Sequence, residues 1–120
     1  MALIKTMELN LMEGVSLAAG NTSNHYGIDV SSYYNIGLNF NYTIGAGATG
    51  TTYLKLYACN NSDYSTNTKY HLMTLSFTPS ELAKHFSIPC LDFRNFAIKV
   101  VNNTDSSITA NATIVGARVS

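Results

Sequence analysis

Charged side chains are scarce in this chain. Seven basic and seven acidic residues make up 12% of it and cancel to a formal net charge of zero, about half the usual charged share. With no basic stripe, the sequence lacks the electrostatic footprint of a nucleic-acid binder. Tryptophan is absent, which weakens any case for an aromatic sugar platform. No apolar run reaches the roughly 18 residues of a transmembrane helix, so no membrane partner is expected. Met1-Ala2-Leu3-Ile4-Lys5 has no basic start followed by an apolar core, so a signal peptide is not expected. The expected setting is a cytoplasm or a structure assembled in one. The two cysteines, Cys59 and Cys90, lie far apart in sequence and are expected as free thiols, not as a disulfide framework.

Catalytic motifs are missing as well. His25, His71 and His85 are scattered, and no Gly-x-Ser-x-Gly elbow is present. The carboxylates of Glu8, Glu13, Asp29, Asp63, Glu81, Asp92 and Asp105 form no pairing that suggests acid–base work. There is no Cys-x-x-Cys, no His-x-x-x-His and no Asp-rich calcium loop. The expectation is a non-enzymatic chain with no metal and no cofactor, acting by binding or assembly.

What is there is period-two alternation. Ile36, Leu38, Phe40, Tyr42 and Ile44 alternate with Gly37, Asn39, Asn41 and Thr43, as in a strand with one buried face. After a Gly-rich turn, Leu54, Leu56 and Ala58 alternate with Tyr53, Lys55, Tyr57 and Cys59. The two segments read as an antiparallel hairpin. Tyr70 to Phe77 reads as another strand. Phe96, Ile98 and Val100, then Ile108, Ala110, Ala112 and Ile114, repeat the hairpin pattern around an Asn102-to-Ser106 turn. A strand lies within Leu3 to Leu11, and a weaker one spans Tyr26 to Val30. Thr78-Pro79-Ser80-Glu81 carries helix-start chemistry, with a capping threonine, a proline at the first helical position and a glutamate that completes a capping box. A short helical insert over Pro79 to His85 is therefore expected, blocked by Ile88-Pro89. The 120 residues make one domain, residues 1–120. Its expected fold is an all-β antiparallel sandwich, jelly-roll-like, with that single helical insert.

Eight tyrosines are the clearest candidates for contact, because exposed tyrosine supplies binding area at low entropic cost. Tyr42 lies on an apolar phase and is assigned to the core. Tyr53 and Tyr57 lie opposite Leu54 and Leu56, either as contact residues or stacked in a second layer on their own sheet. Tyr33 and Tyr34 lie beside a loop. The uncharged polar set Asn39, Asn41 and Thr43 and its counterpart Thr109, Asn111 and Thr113 form either a solvated sheet face or a wet contact with a neighbour. Five Asn-x-Ser/Thr sequons begin at Asn21, Asn41, Asn60, Asn102 and Asn111 and read as by-products of asparagine-rich composition.

The segment order resembles small β-sandwich, jelly-roll-like virion proteins of tailed bacteriophages, the capsid decoration type. The resemblance rests on Ile28-Asp29-Val30-Ser31-Ser32-Tyr33-Tyr34-Asn35-Ile36-Gly37-Leu38, on Thr52 to Ser62 after a Gly/Thr-rich turn, on Phe93 to Val100, and on Ser107 to Ile114. It covers about Ile28 to Gly116, and the expected helical insert departs from it. It implies a virion protein, assembled in the host cytoplasm, that binds the outer capsid surface and stabilises it. The implied partners are the major capsid protein or other virion subunits, and the implied state is a homo-oligomer, with a trimer favoured. The contact residues expected on this reading are Tyr33, Tyr34, Tyr53 and Tyr57. Met1, Ala2, Leu3, Ile4 and Lys5 would be a tethering arm within an N-terminal arm or edge strand at residues 1–12. The alternatives are a tail, neck or baseplate component, and a carbohydrate-binding module for host attachment.

Overall fold

The computed structural model describes residues 3–6, 8–60 and 70–119. Alternation becomes strand throughout. The elements are β1 (Leu3–Lys5), β2 (Leu9–Leu17), β3 (Tyr26–Asp29), β4 (Asn35–Ile44), β5 (Gly50–Cys59), β6 (Tyr70–Phe77), β7 (Ala83–Pro89), β8 (Asn95–Thr104) and β9 (Ile108–Val119). The described residues contain no helix.

The strands form two antiparallel sheets. One follows the order β1-β9-β4-β7, with β2 also paired to β9; the other runs β3-β8-β5-β6. From β2 onward, successive strands cross between the sheets, except β5 and β6, which are neighbours in one; β1 and β2 both pair with β9. The resulting orders β2-β9-β4-β7 and β3-β8-β5-β6 are the two Greek keys of a jelly roll. The two inner faces close on each other. Ile36, Leu38, Phe40, Leu54, Leu56, Phe96, Ile98, Ile108 and Ile114 are each at most 2% exposed, so the strand registers follow the apolar phase. Tyr42 joins them, its ring among Phe40 and Phe77 and its hydroxyl donating to the Thr78 carbonyl at 2.8 Å. Burial pushes its phenol pKa up.

Two expectations are corrected. β4 and β5 are not a hairpin: β4 pairs with β7 and β9, and β5 pairs with β6 and β8. The same holds for β8 and β9, which lie in different sheets. Alternation marks the face a strand buries against the opposite sheet and says nothing of which strand bonds to its edge. The Gly-rich link bridges the two layers. Gly50 adopts φ 105° there, and a Cβ on it would fall 2.5 Å from the Asn103 carbonyl oxygen. Asp105 ties this link to the β8–β9 connection by accepting from the Thr49 N–H at 2.9 Å and its hydroxyl at 3.0 Å. Those bonds hold its carboxyl below the usual range.

The helical insert is also absent. The capping box does not form: the Glu81 N–H donates to the Thr78 carbonyl at 2.9 Å, closing a single β-turn, and the Thr78 hydroxyl donates to Glu81 Oε1 at 3.3 Å. From Ala83 the chain enters β7 and pairs with β4 from Asn41↔Ala83 to Asn35↔Pro89 without a register shift. Phe86 and Ile88, two residues apart, are half-buried on the inner phase. The ladder to β4 and this burial outweigh a local preference worth about 1 kcal/mol.

The sequence pattern places Asn102 in the turn after β8. Instead it lies inside β8 and is fully buried. Its amide donates to the carbonyls of Leu17 at 3.0 Å, Ala18 at 3.1 Å and Ser106 at 2.9 Å. Its Oδ1 accepts from the Thr104 N–H at 3.1 Å and the Thr104 hydroxyl at 2.6 Å. This one side chain fastens the end of β2 and the β8–β9 turn to the core.

Candidate functional site

A sandwich has two lateral sides, and here they differ. On the β2/β3 side, Met12 and Leu17 are 2% and 7% exposed. The link between β2 and β3 is laced to β8 through Gly20 N–H to the Asn102 carbonyl, Asn102 N–H to the Asn21 carbonyl and Ser23 N–H to the Val100 carbonyl, each at 2.8 Å. That side is closed.

The β6/β7 side is open. Met73 stands opposite Leu56 in the β5–β6 ladder, yet Met73 is 48% exposed while Leu56 is 1% exposed. Leu72, the extra residue of the register shift beside Leu56 and Tyr57, is 41% exposed, and Leu82, just before β7, is 42% exposed. Between the two edges runs a cleft of about 500 Å³ lined by Leu56, Leu72, Met73, Phe86, Ile88 and Phe93, among others. The volume falls within the roughly 300–1,000 Å³ of binding clefts. Its lining is mostly apolar; His85 and Ser87 stand at its β7 edge, each bonded to a β4 asparagine, His85 Nδ1 to Asn39 Oδ1 at 2.7 Å and Ser87 Oγ accepting from the Asn35 amide at 3.0 Å. What the cleft can do is bury an apolar partner surface. Among the described residues, no three His, Cys, Asp or Glu side chains gather to hold a metal ion.

The loops at one end of the cleft repeat each other. The Val30 N–H donates to the Arg94 carbonyl at 2.7 Å, and the Cys90 N–H donates to the Tyr34 carbonyl at 3.0 Å. Tyr33 and Phe93 occupy matching places in these turns. The Tyr33 ring lies on Gly116, where a Cβ would fall 2.6 Å from it. Phe93 faces the open cleft. Cys90, beneath these turns, is 2% exposed, and burial pushes its thiol up.

The residues expected to make contact do not form one surface. Tyr33 and Tyr34 are half-buried near the end of β9, where the Tyr34 N–H donates to the Ala117 carbonyl at 3.0 Å. β1 pairs with the same stretch, Leu3 with Val119 and Lys5 with Ala117, so Leu3 to Lys5 form an edge strand there. Of the arm's side chains, Ile4 is half-buried and Lys5 exposed; Met1 and Ala2 lie outside the described residues. Tyr53 and Tyr57 are on the outer face of the other sheet. Tyr53 is half-buried, whereas Tyr57 is 8% exposed, between the rings of His25 at 5.1 Å and His71 at 5.4 Å, with Lys99 Nζ 5.8 Å from its ring centre. The outer polar sets of β4 and β9 lie side by side, with the Asn111 amide donating to Asn41 Oδ1 at 3.2 Å. The β6/β7 cleft escaped the sequence reading. Its one sequence signal is the adjacent apolar pair Leu72-Met73, which breaks the alternation of its strand.

No family model matches the chain, and no curated protein sequence matches it. Its fold is nonetheless shared. It is similar to the crystal structure of the SPBc2 prophage-derived protein YomS, with a TM-score of 0.56 and 14% identity over 97% of this chain and 96% of that one. It is similar to a structure of Bacillus endospore appendages, described as disulfide-linked pili, with a TM-score of 0.54 and 11% identity over 98% and 89%. A chain of the infectious bursal disease virus Gx strain matches with a TM-score of 0.56 and 10% identity over 98% of this chain and 33% of that one. At these identities the likeness is one of fold.

Proposed function

We propose that the chain is a non-enzymatic structural subunit of a phage particle, seated on the outer capsid surface as a decoration protein, with its open β6/β7 side covered by a neighbouring subunit of the particle. The observation that carries the reading is this side. A small domain that leaves Leu72, Met73 and Leu82 exposed beside an apolar cleft is built to have them covered. The scarcity of charge fits a surface that neighbours cover. The end-to-end likeness in fold to a prophage-derived protein of similar length supports the same reading. The mechanism is additive contact, with many symmetric copies turning modest interfaces into a stable shell.

The test adds purified protein to shells assembled without it and counts the copies retained. Saturable binding by the intact protein, lost on Met73→Glu, is the expected result. Retention on tails instead of shells would move the subunit to the tail, neck or baseplate, and binding of glycans by the isolated domain would replace the reading with host attachment. Tyr33, Tyr34, Tyr53 and the N-terminal arm are proposed as secondary contacts. Deleting residues 1–5 should lower retention while leaving the far-UV spectrum unchanged, because no described core residue lies in that segment. Equal retention would remove the arm from the mechanism.

A further inference from the structure

We infer that the open side is closed by a second copy of this chain, β7 pairing antiparallel with β7 of that copy across a two-fold axis through His85; the inference rests on the reading of this side as a docking face. The Tyr42 N–H donates to the Leu82 carbonyl at 3.0 Å. In the β4–β7 register, ladder bonds then recur at Lys84, Phe86 and Ile88, since bonded and non-bonded pairs alternate in an antiparallel ladder. Ala83, His85 and Ser87 therefore turn their N–H and C=O groups away from β4, along an edge that no further strand among the described residues pairs with.

Among the described residues, this edge is the one that is long and regular. β2 is broken by two register shifts and a left-handed Gly14 at φ 59°. β6 carries the shift at Leu72, and β3 has four residues. Bulged and short edges resist strand addition; a straight one invites it. β7 runs seven residues without a shift.

The edge is also self-complementary. With the axis through His85, the N–H groups of Ala83, His85 and Ser87 donate to the carbonyls of Ser87, His85 and Ala83 of the second copy, and the reverse bonds form by symmetry. Pro89, which has no N–H, falls outside this exchange. Lys84 comes opposite Phe86, and Glu81 opposite Pro89, so neither charge meets its like. Sheet continuation brings the two β6 edges together, and Leu72 and Met73 of each copy cover the cleft of the other. The side measures about 24 Å along β7 by the 20 Å of the molecule's shortest dimension. The two copies together thus cover on the order of 1,000 Å², the lower bound for a specific interface. A two-fold contact of this kind stands in place of the threefold cluster that the resemblance implied.

The experiment pairs sedimentation with cross-linking on the full chain. Sedimentation velocity is run at about 20 and about 200 μM, because a contact of this size is weak. His85→Cys is oxidised in parallel. Paired residues that exchange both bonds lie about 5.5 Å apart at Cα, within disulfide reach, while Cys59 and Cys90 are buried. A dimer at the higher concentration, a disulfide-linked dimer from His85→Cys, and a monomer from Ser87→Pro with an unchanged far-UV spectrum support the inference. Met73→Glu, which leaves the β7 backbone intact, should also shift the protein to monomer. A monomer at both concentrations, or a dimer that His85→Cys does not cross-link, overturns it. In the monomer case, loss of shell binding in Met73→Glu would show that the docking reading stands and the occupant differs. Unchanged shell binding would overturn both.

Discussion

Replacing Asn102 with Asp keeps the shape of a fully buried side chain and reverses the polarity of one end. The amide nitrogen now donates to three carbonyls, those of Leu17, Ala18 and Ser106. A carboxylate has only acceptors to offer them. Leaving a buried polar group without its partner costs about 1–3 kcal/mol, so three carbonyls and a buried charge put the loss at roughly 3–5 kcal/mol. A domain of this length holds on the order of 6–18 kcal/mol in all, so the variant should still fold with its melting temperature lowered by about 12–20 °C. The assay is urea denaturation followed by far-UV circular dichroism at several pH values. Burial among carbonyl oxygens raises the folded-state pKa of the new Asp above its unfolded value. Its deficit relative to the natural protein should therefore shrink as pH falls through that raised value, when the protonated acid regains one donor. A deficit below about 1 kcal/mol, or one that does not change with pH, would refute the assignment of Asn102 as the hub joining β2, β8 and β9.

Phe40→Ala should cost about 3–5 kcal/mol in the same assay, since Phe40 is 1% exposed and packs on Tyr42 and Phe77; a loss under 1 kcal/mol would contradict the core assignment. Asp105, with its pKa lowered by Thr49, contributes stability above its unfolded pKa that is lost as pH falls through its folded one. Asp105→Asn should therefore lower stability at neutral pH and flatten the acid side of the stability curve; an unchanged acid side would refute the link between the two turns. Neither thiol should react with an aromatic disulfide reagent in the native protein, and both should react in urea, because Cys59 and Cys90 are 1% and 2% exposed. Rapid native labelling would contradict their burial.

The strand phases were legible because period two is a strong signal. Every inward residue named from Ile36 to Ile114 is buried except Ile44, which is half-buried at the end of β4. Strand partners were not legible. Alternation in β4 and β5 says that each has one buried face, and it is silent on whether the apolar neighbour lies beside the strand or across the core. Helix-start residues at Thr78 to Glu81 pointed to a helix that does not form, because the fate of Lys84 to Ile88 was decided by β4, some 45 residues earlier in the chain. Tyr57 could be weighed only as contact or second layer, and its burial between His25 and His71 depends on three separate segments. The open side was least legible. Met73 has an inward phase, and its exposure follows from where the facing sheet ends, which local sequence does not encode.

The central claim is that the β6/β7 side is the surface that assembly covers. Hydrogen exchange measured on the free monomer and on the assembled particle tests it most directly. The outward amides of Ala83, His85 and Ser87 should exchange freely in the monomer and become slow on assembly, with the Leu72–Met73 segment protected alongside them. Exchange at these residues that stays unchanged on assembly, while the turns at Tyr33 and Leu91 become protected, would contradict the account and place the docking surface at the loop end of the sandwich.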